Sequence, residues 1–327
     1  MQFLQRRPCV IEWHREKYKE EYQNLVTRMN SSYPCVLFIG AGPSISIYGN
    51  WQYLINYVLA EYNITLTEEE KSYKVSFAPD ILEKCRLKDS NLFYTLLRQL
   101  FKSEGKREYN PMHFDLLSLP IEGFITTNLD QCLIKAAQRL PLSNQLSGFC
   151  YYPEHIRSSD LKQRILFHIH GIVKNHEDQD TIESTIITKS DYDNGYPNNI
   201  QPFLWAAFNE VNIIFFGFSL RDPEVKKILE AAKDEQKRVK QLPYKPTAIP
   251  VRHFIFLPSL FEINYQKMTV TEAKQVEDDE DRLYFDTYNL RVIRYRTSHA
   301  AEEHTELNNI INNLLIATSK QSYGDKT

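Results

Sequence analysis

Four short groups of residues could do chemistry. Gly40-Ala41-Gly42-Pro43-Ser44 follows the apolar run 35–39. Glycine there lets backbone approach a ligand closely, and the amides and helix N-terminus beyond could receive a phosphate. Thr126-Thr127-Asn128-Leu129-Asp130 closes a second apolar run. Asp130 is placed to cap the helix behind it, a reading that leaves Asn128 unexplained. His170-Gly171 closes a third run, with His168 at the same strand parity as His170. Gly217-Phe218-Ser219 followed by Asp222-Pro223 closes a fourth, and Asp222 with Pro223 makes a natural N-cap and first-turn pair. The first group alone points to a nucleotide. It is not the full dinucleotide fingerprint, which needs a third glycine, and this argues against a hydride-transfer dehydrogenase. No Gly-x-x-x-x-Gly-Lys run supports a P-loop.

The elements that must position these groups are strands and helices in alternation. Buried parallel strands read as continuous apolar runs rather than as alternation. Such runs occupy 35–39, 123–126, 164–171, 211–218, 252–257 and 291–295. A helix over 12–30 precedes the first. Another opens near Trp51, with Leu54, Ile55, Val58 and Leu59 on one face. Residues 60–120 are helical throughout and read as an insertion covering the sheet. The stretch 141–163 is polar and irregular, 172–198 ends in a turn rich in Asn, Asp and Gly, and 200–209 is helical. The aromatic stripes in 92–118 and 203–218 are core. The acidic run 277–281 reads as a solvated face. Strands separated by helices imply a doubly wound, mostly parallel, Rossmann-like α/β sheet with helical insertions. In such sheets ligands sit outside the carboxyl ends of the strands, where all four groups fall. The expected division is an N-terminal helical extension over 1–32, one large domain over 33–318, and a tail over 319–327.

Composition narrows the class. The 327 residues are 42% apolar and 25% charged, ordinary for a soluble globule, and the net charge of −3 argues against a generally basic nucleic-acid surface. Five dispersed cysteines, with no Cys-x-x-Cys pair, make a structural zinc module unexpected and suit a reducing cytoplasm. Cys35 and Cys132 fall in core patterns. No apolar run is long enough to span a bilayer.

The order of the four groups resembles the sirtuin superfamily, and within it the bacterial sirtuin-like NAD hydrolases of anti-phage defence. The resemblance covers roughly residues 33–300 in scattered blocks. It implies that Gly40, Ala41, Gly42 and Ser44 hold the NAD phosphates and ribose, with Thr127 also lining the NAD site. Asn128 would orient the water or ribose, Asp130 would contact the nicotinamide carboxamide, and His170 would be the catalytic base, with His168 as the alternative. Gly217, Ser219 and Asp222 would line the adenosine pocket. The sequence departs from deacylase sirtuins. Tyr48-Gly49-Asn50-Trp51 stands where they carry Pro-Asp-Phe-Arg, the two Cys-x-x-Cys pairs are missing, and no acyl-lysine loop is evident.

Cleaving the nicotinamide–ribose bond builds positive charge on the ribose, as glycoside hydrolysis does. The protein must orient the ribose, exclude bulk water and place one attacking water. An amide such as Asn128 can hold that water without carrying charge, and a histidine can accept its proton. The expected activity is NAD+ hydrolysis to nicotinamide and ADP-ribose, with NAD+ as substrate and no metal. The resemblance further implies a cytoplasmic effector that depletes NAD+ in abortive infection. It would be gated by homo-oligomerisation or by a HerA-type ATPase or short Argonaute partner, with no membrane and no direct nucleic-acid contact. An NAD-dependent protein deacylase and a non-catalytic NAD- or ADP-ribose-binding module are the rival readings.

Overall fold

The computed structural model describes residues 7–9, 11, 13, 15–73, 75–102, 104–151, 155–173, 185–241, 251–260, 269–296 and 305–319. The expected tail over 319–327 therefore lies almost wholly outside the described residues. Among them, seven strands join in one sheet, in the order β3-β4-β2-β1-β5-β6-β7. They are β1 (Cys35–Ile39), β2 (Gly123–Thr126), β3 (Gly148–Cys150), β4 (Ile165–His168), β5 (Asn212–Phe216), β6 (His253–Pro258) and β7 (Leu290–Tyr295). With helices between them, this is the doubly wound α/β arrangement the apolar runs imply. No described helix is long and apolar enough to cross a membrane. Contacts divide the chain into two compact units.

The first unit takes in Met1–Phe38, Asp115–Gly123 and Trp205–Thr327. Its strands β5, β6 and β7 pair in parallel, with Phe254 aligned on Ile214 and on Arg291. Phe216 and Phe256 stack with ring centroids 4.2 Å apart and are almost fully buried. Each such ring contributes about 2–3 kcal/mol through burial alone. Around the strands run α1 (Glu16–Met29), α11 (Pro223–Lys240), α12 (Val270–Tyr288) and α13 (Thr305–Ser319). The acidic run of α12 is a solvated face only in part, since Asp279 is exposed but two of its members turn inward. Glu277 is buried, and its carboxylate accepts from Ser259 Oγ at 2.8 Å, Leu260 N at 3.0 Å and Tyr18 Oη at 3.2 Å. Asp281 accepts from the buried Arg294 at 2.9 Å and from Lys17 at 2.7 Å. The run reads as surface by composition, but it is the counter-charge for an arginine placed on a core strand.

The second unit takes in Ile39–Phe114 and Phe124–Leu204. Strands β2, β4 and β3 run parallel, with Thr126 aligned on His168. Between 60 and 120 the described residues form helices and no strand: α4 (Glu68–Ser72), α5 (Ala78–Lys88), α6 (Ser90–Phe101) and α7 (Pro111–Leu117) follow α3 (Trp51–Ala60), with non-helical links at 61–67 and 104–110. The apolar stripes of α3, α5 and α6 meet in a core containing Leu54, Val58, Leu82, Phe93, Leu97 and Leu100. Three local readings change. The irregular stretch 141–163 hides β3, an edge strand of three residues too short and too exposed to show periodicity. The strand expected over 164–171 ends at His168, because Gly171 turns the chain with φ +74° and its N–H bonds back to His168 O at 2.9 Å. The turn expected within 172–198 contains α9 (Lys189–Gly195), which opens on a capping box between Thr188 and Asp191 and passes through a π-helical turn, Tyr196–Ile200, into α10 (Gln201–Glu210).

Candidate active site

The chain leaves β1 through Gly40 and Ala41 into a single 3-10 turn, Gly42–Ser44, then the four-residue α2 (Ile45–Tyr48). Neither Gly40 nor Gly42 has positive φ; Gly49 does, at +76°. Added at Gly49, a Cβ would also fall within 2.8 Å of the Tyr53 side chain. The conformational need for glycine therefore lies at Gly49, just before α3. Ser44 is buried.

The end of β2 is tied to this turn. Thr126 Oγ1 donates to Ile39 O at 2.8 Å and accepts from Asn128 N at 3.0 Å. Thr127, half-buried, lies between those partners. The Asn128 amide donates to Ser44 Oγ at 3.4 Å. Asp130 Oδ1 accepts from Cys132 N at 2.9 Å, so the carboxylate holds the entrance of α8 (Cys132–Ala137) one residue outside the cap position, which Gln131 occupies. The capping expectation for Asp130 is met in this shifted form. Asn128 and Asp130 are both buried.

The end of β4 joins the same cluster. His168 Nδ1 lies 3.0 Å from Asn128 O. A carbonyl only accepts, so Nδ1 carries the proton and Nε2 presents its lone pair. Nε2 is buried with no hydrogen-bond partner among the described residues. Desolvation, the largest influence, pushes the His168 pKa below its usual value. His170 is not on the strand with His168 but in the turn beyond it. Its Nε2 lies 2.7 Å from Tyr196 Oη, and the ring meets Tyr192 and Tyr196 edge-on, at centroid distances of 5.4 and 5.7 Å. The two histidines therefore do not share a strand as expected: His168 braces the Asn128 loop, and His170 faces a phenol.

Two supports escaped sequence reasoning. The first is His113, whose Nε2 lies 3.0 Å from Ser44 Oγ. Asn110 N donates to His113 Nδ1 at 3.0 Å, so Nε2 holds the proton and donates to the serine. His113 shares the buried stripe of Leu116 and Leu117 at helical spacing, which signals burial but not the contact with Ser44. Tyr192 and Tyr196 are one helical turn apart and stacked at 5.2 Å, but α9 itself was not foreseen. The start of α9 is clamped to α5. Arg86 bonds Asp191 at 2.8 Å, and Glu83 accepts from Ser190 Oγ at 2.9 Å. Burial raises the Glu83 pKa, but hydrogen bonds from Thr188, Ser190 and Arg86 outweigh it and hold the carboxyl at about 2.

The fourth group belongs to the first unit. Gly217 has φ +59° and Ser219 is exposed. Asp222 caps α11, its Oδ1 accepting from Glu224 N at 2.9 Å and Val225 N at 3.0 Å, as the Asp-Pro pair predicts. Gly40, Ala41, Gly42, Ser44, Thr127, Asn128, Asp130, His168 and His170 all lie in the second unit.

Residues 122–293 match the model of the SIR2-like domain. The chain belongs to the SIR2-like family. Two relatives, the NAD(+) hydrolases ThsA of Acinetobacter baumannii (strain 532279) and Enterococcus faecium, are each 27% identical, over 199 and 198 residues. Each match covers 59% of this chain but only 38% of the relative's length. The crystal structure of a SIR2 homolog–NAD complex aligns over 91% of this chain and 94% of its own, at 12% identity and a TM-score of 0.41. The matched SIR2-like region begins just before β2 and takes in the Asn128, His170 and Gly217 groups, leaving the Gly40 turn upstream.

Proposed function

We propose that this SIR2-like chain hydrolyses NAD+ at the nicotinamide–ribose bond, releasing nicotinamide and ADP-ribose. The observation that carries the reading is the buried hydrogen-bonded link of Ser44, Asn128 and His168, three residues from three strand ends, with His170 two residues further on against Tyr196. Two relatives named as NAD(+) hydrolases support the substrate class.

Each role follows from chemistry. The glycine turn, with Ser44 and Thr127, would take the phosphates and ribose, Asp130 the nicotinamide carboxamide, and Gly217, Ser219 and Asp222 the adenosine side. As nicotinamide leaves, positive charge grows on the ribose. Asn128 holds the attacking water without adding charge, and its position is fixed from both sides by Ser44 and His168. His170 takes the water's proton through one ring nitrogen, and the Tyr196 hydroxyl on Nε2 fixes the ring. Burial of the cluster excludes bulk water. A positioned base of this kind contributes about a hundredfold to ten-thousandfold in rate. Asn128→Ala and His170→Ala are each expected to abolish nicotinamide release while leaving the melting temperature within a few degrees. Wild-type turnover in His170→Ala, with loss in His168→Ala, would move the base to His168.

The biological reading follows from resemblance. An unrestrained NAD+ hydrolase poisons its host, so we infer a gated effector of anti-phage defence that acts by NAD+ depletion. The gate is self-assembly or a partner of HerA-type ATPase or short-Argonaute kind. Sedimentation with and without the protein encoded beside it tests this, and full activity from an isolated monomer removes the gate.

A further inference from the structure

Behind Ser44 lies a set of donors that this reaction chemistry does not use together. His113, Asp130 and Cys132 are all buried, and one ligand atom of each lies within 4.8 Å of the other two. We propose that an imidazole nitrogen of His113, the Asp130 carboxylate and the Cys132 sulfur bind a borderline-soft divalent cation, zinc above all, with Ser44 Oγ adjacent as a fourth donor.

Donor chemistry chooses the ion. One nitrogen, one sulfur and one oxygen suit tetrahedral zinc, whereas magnesium and calcium take oxygen donors alone. Charge supports the same choice. A thiolate and a carboxylate together offset a dication, so the filled site is neutral, as burial in low dielectric requires. The imidazole needs one adjustment, giving up the Asn110 N–H bond to its Nδ1. His113 Nδ1 lies 3.2 Å from Asn110 O, so a change of tautomer lets Nδ1–H donate to that carbonyl while Nε2 turns its lone pair to the metal. Such a backbone carbonyl behind the ring is the usual support of a zinc-bound histidine. Asp130 is steadied by the Cys132 N–H at 2.9 Å. Lys106, the nearby cation, is occupied elsewhere, donating to Leu100 O at 2.6 Å and lying over the Tyr48 ring. Binding releases one proton, from the Cys132 thiol to solvent, and transfers no electrons. The set differs from a paired-cysteine zinc module, and the absence of Cys-x-x-Cys pairs does not bear on it.

One consequence rests on the NAD+ hydrolase reading. Ser44 bonds both His113 and Asn128, so a metal here would draw Ser44 and Asp130 away from NAD+ and inhibit the enzyme.

The test uses the full chain with Cys9→Ser and Cys150→Ser, which removes the two thiols that are not buried. Cobalt(II) is titrated without NAD+, then displaced by zinc. The expected result is one cobalt per chain, with a thiolate-to-cobalt charge-transfer band and tetrahedral visible bands. Cys132→Ser should remove the charge-transfer band and weaken zinc by at least about tenfold. His113→Gln, a second variant should the first not fold, should keep the thiolate band but weaken zinc similarly. No thiolate band in the parent, or a band unchanged in Cys132→Ser, overturns the site. Nicotinamide release should be blocked by zinc and restored by chelator, and Cys132→Ser should be insensitive. Metal binding without inhibition would leave the site standing and refute the placement of Ser44 against NAD+.

Discussion

In the unit that holds β5, β6 and β7, Arg294 is 1% exposed, yet every part of its guanidinium has somewhere to go: Asp281 at 2.9 Å, Glu280, and Pro258 O at 3.2 Å. His253, equally buried there, is satisfied at both nitrogens, by Ile213 N at 3.2 Å and Phe208 O at 3.1 Å. In the other unit Glu70 keeps a counter-charge in Lys84, but the buried Ser44, Asn128 and His168, beyond strand ends, face hydroxyls, amides and carbonyls in place of counter-charges. His168 Nε2 has no hydrogen-bond partner among the described residues, and Ser44 Oγ is shared between His113 and Asn128. Both units bury polar side chains. The first spends it on holding a strand and a helix together; the second leaves capacity that a substrate could use. Buried polar residues are thus not all of one kind, and the completeness of their partners separates structural from functional ones.

The contrast can be broken most sharply at His170. His170→Ala should lower nicotinamide release by about a hundredfold to ten-thousandfold with little loss of stability, read by progress curves and thermal melts on one preparation. The matching change in the other unit has the opposite signature. Arg294→Ala leaves Asp281 and Glu280 without their buried partner and should cost about 3–5 kcal/mol of folding stability, while turnover per folded molecule stays unchanged. A rate defect in Arg294→Ala beyond its unfolded fraction would blur the distinction.

Acid sharpens the same contrast. Burial lowers the His253 pKa to about 4, below the usual 6.5, so the folded chain resists a proton that the unfolded chain takes up. Its stabilising effect is full above pH 6.5 and is lost as pH falls towards 4, amounting to about 3 kcal/mol over that window. Denaturant midpoints of wild type and His253→Gln should converge as pH falls through it; parallel curves would show that His253 titrates normally. The smallest effect is expected from Tyr196→Phe. Losing one hydrogen bond of about 1 kcal/mol to His170 should slow turnover several-fold and shift its pH profile, without the collapse seen in His170→Ala.

The legible part of this fold was the part written in continuous apolar runs. Strands β1, β2, β5, β6 and β7 are buried on both faces, and their sequences say so directly. The strand β3 was not legible because three half-exposed edge residues carry no pattern. The candidate site was legible where a strand end carried a residue with no structural excuse, as with Asn128 beside the capping Asp130. His113 and Tyr196 were not. Their role exists only through Ser44 Oγ and His170 Nε2, contacts made across sequence separations of 69 and 26 residues. The acidic run of α12 misled for the same reason, since its partners Arg294, Arg15 and Lys17 lie on other elements.

The central claim is that water, placed by Asn128, replaces nicotinamide on the ribose. The most direct measurement is to incubate the full chain, at concentrations high enough to permit self-assembly, with NAD+ in heavy-oxygen water and to weigh the products. The account predicts free nicotinamide and an equal amount of ADP-ribose carrying one heavy oxygen, with both absent in Asn128→Ala. ADP-ribose without the label, or undiminished release by Asn128→Ala, would contradict it.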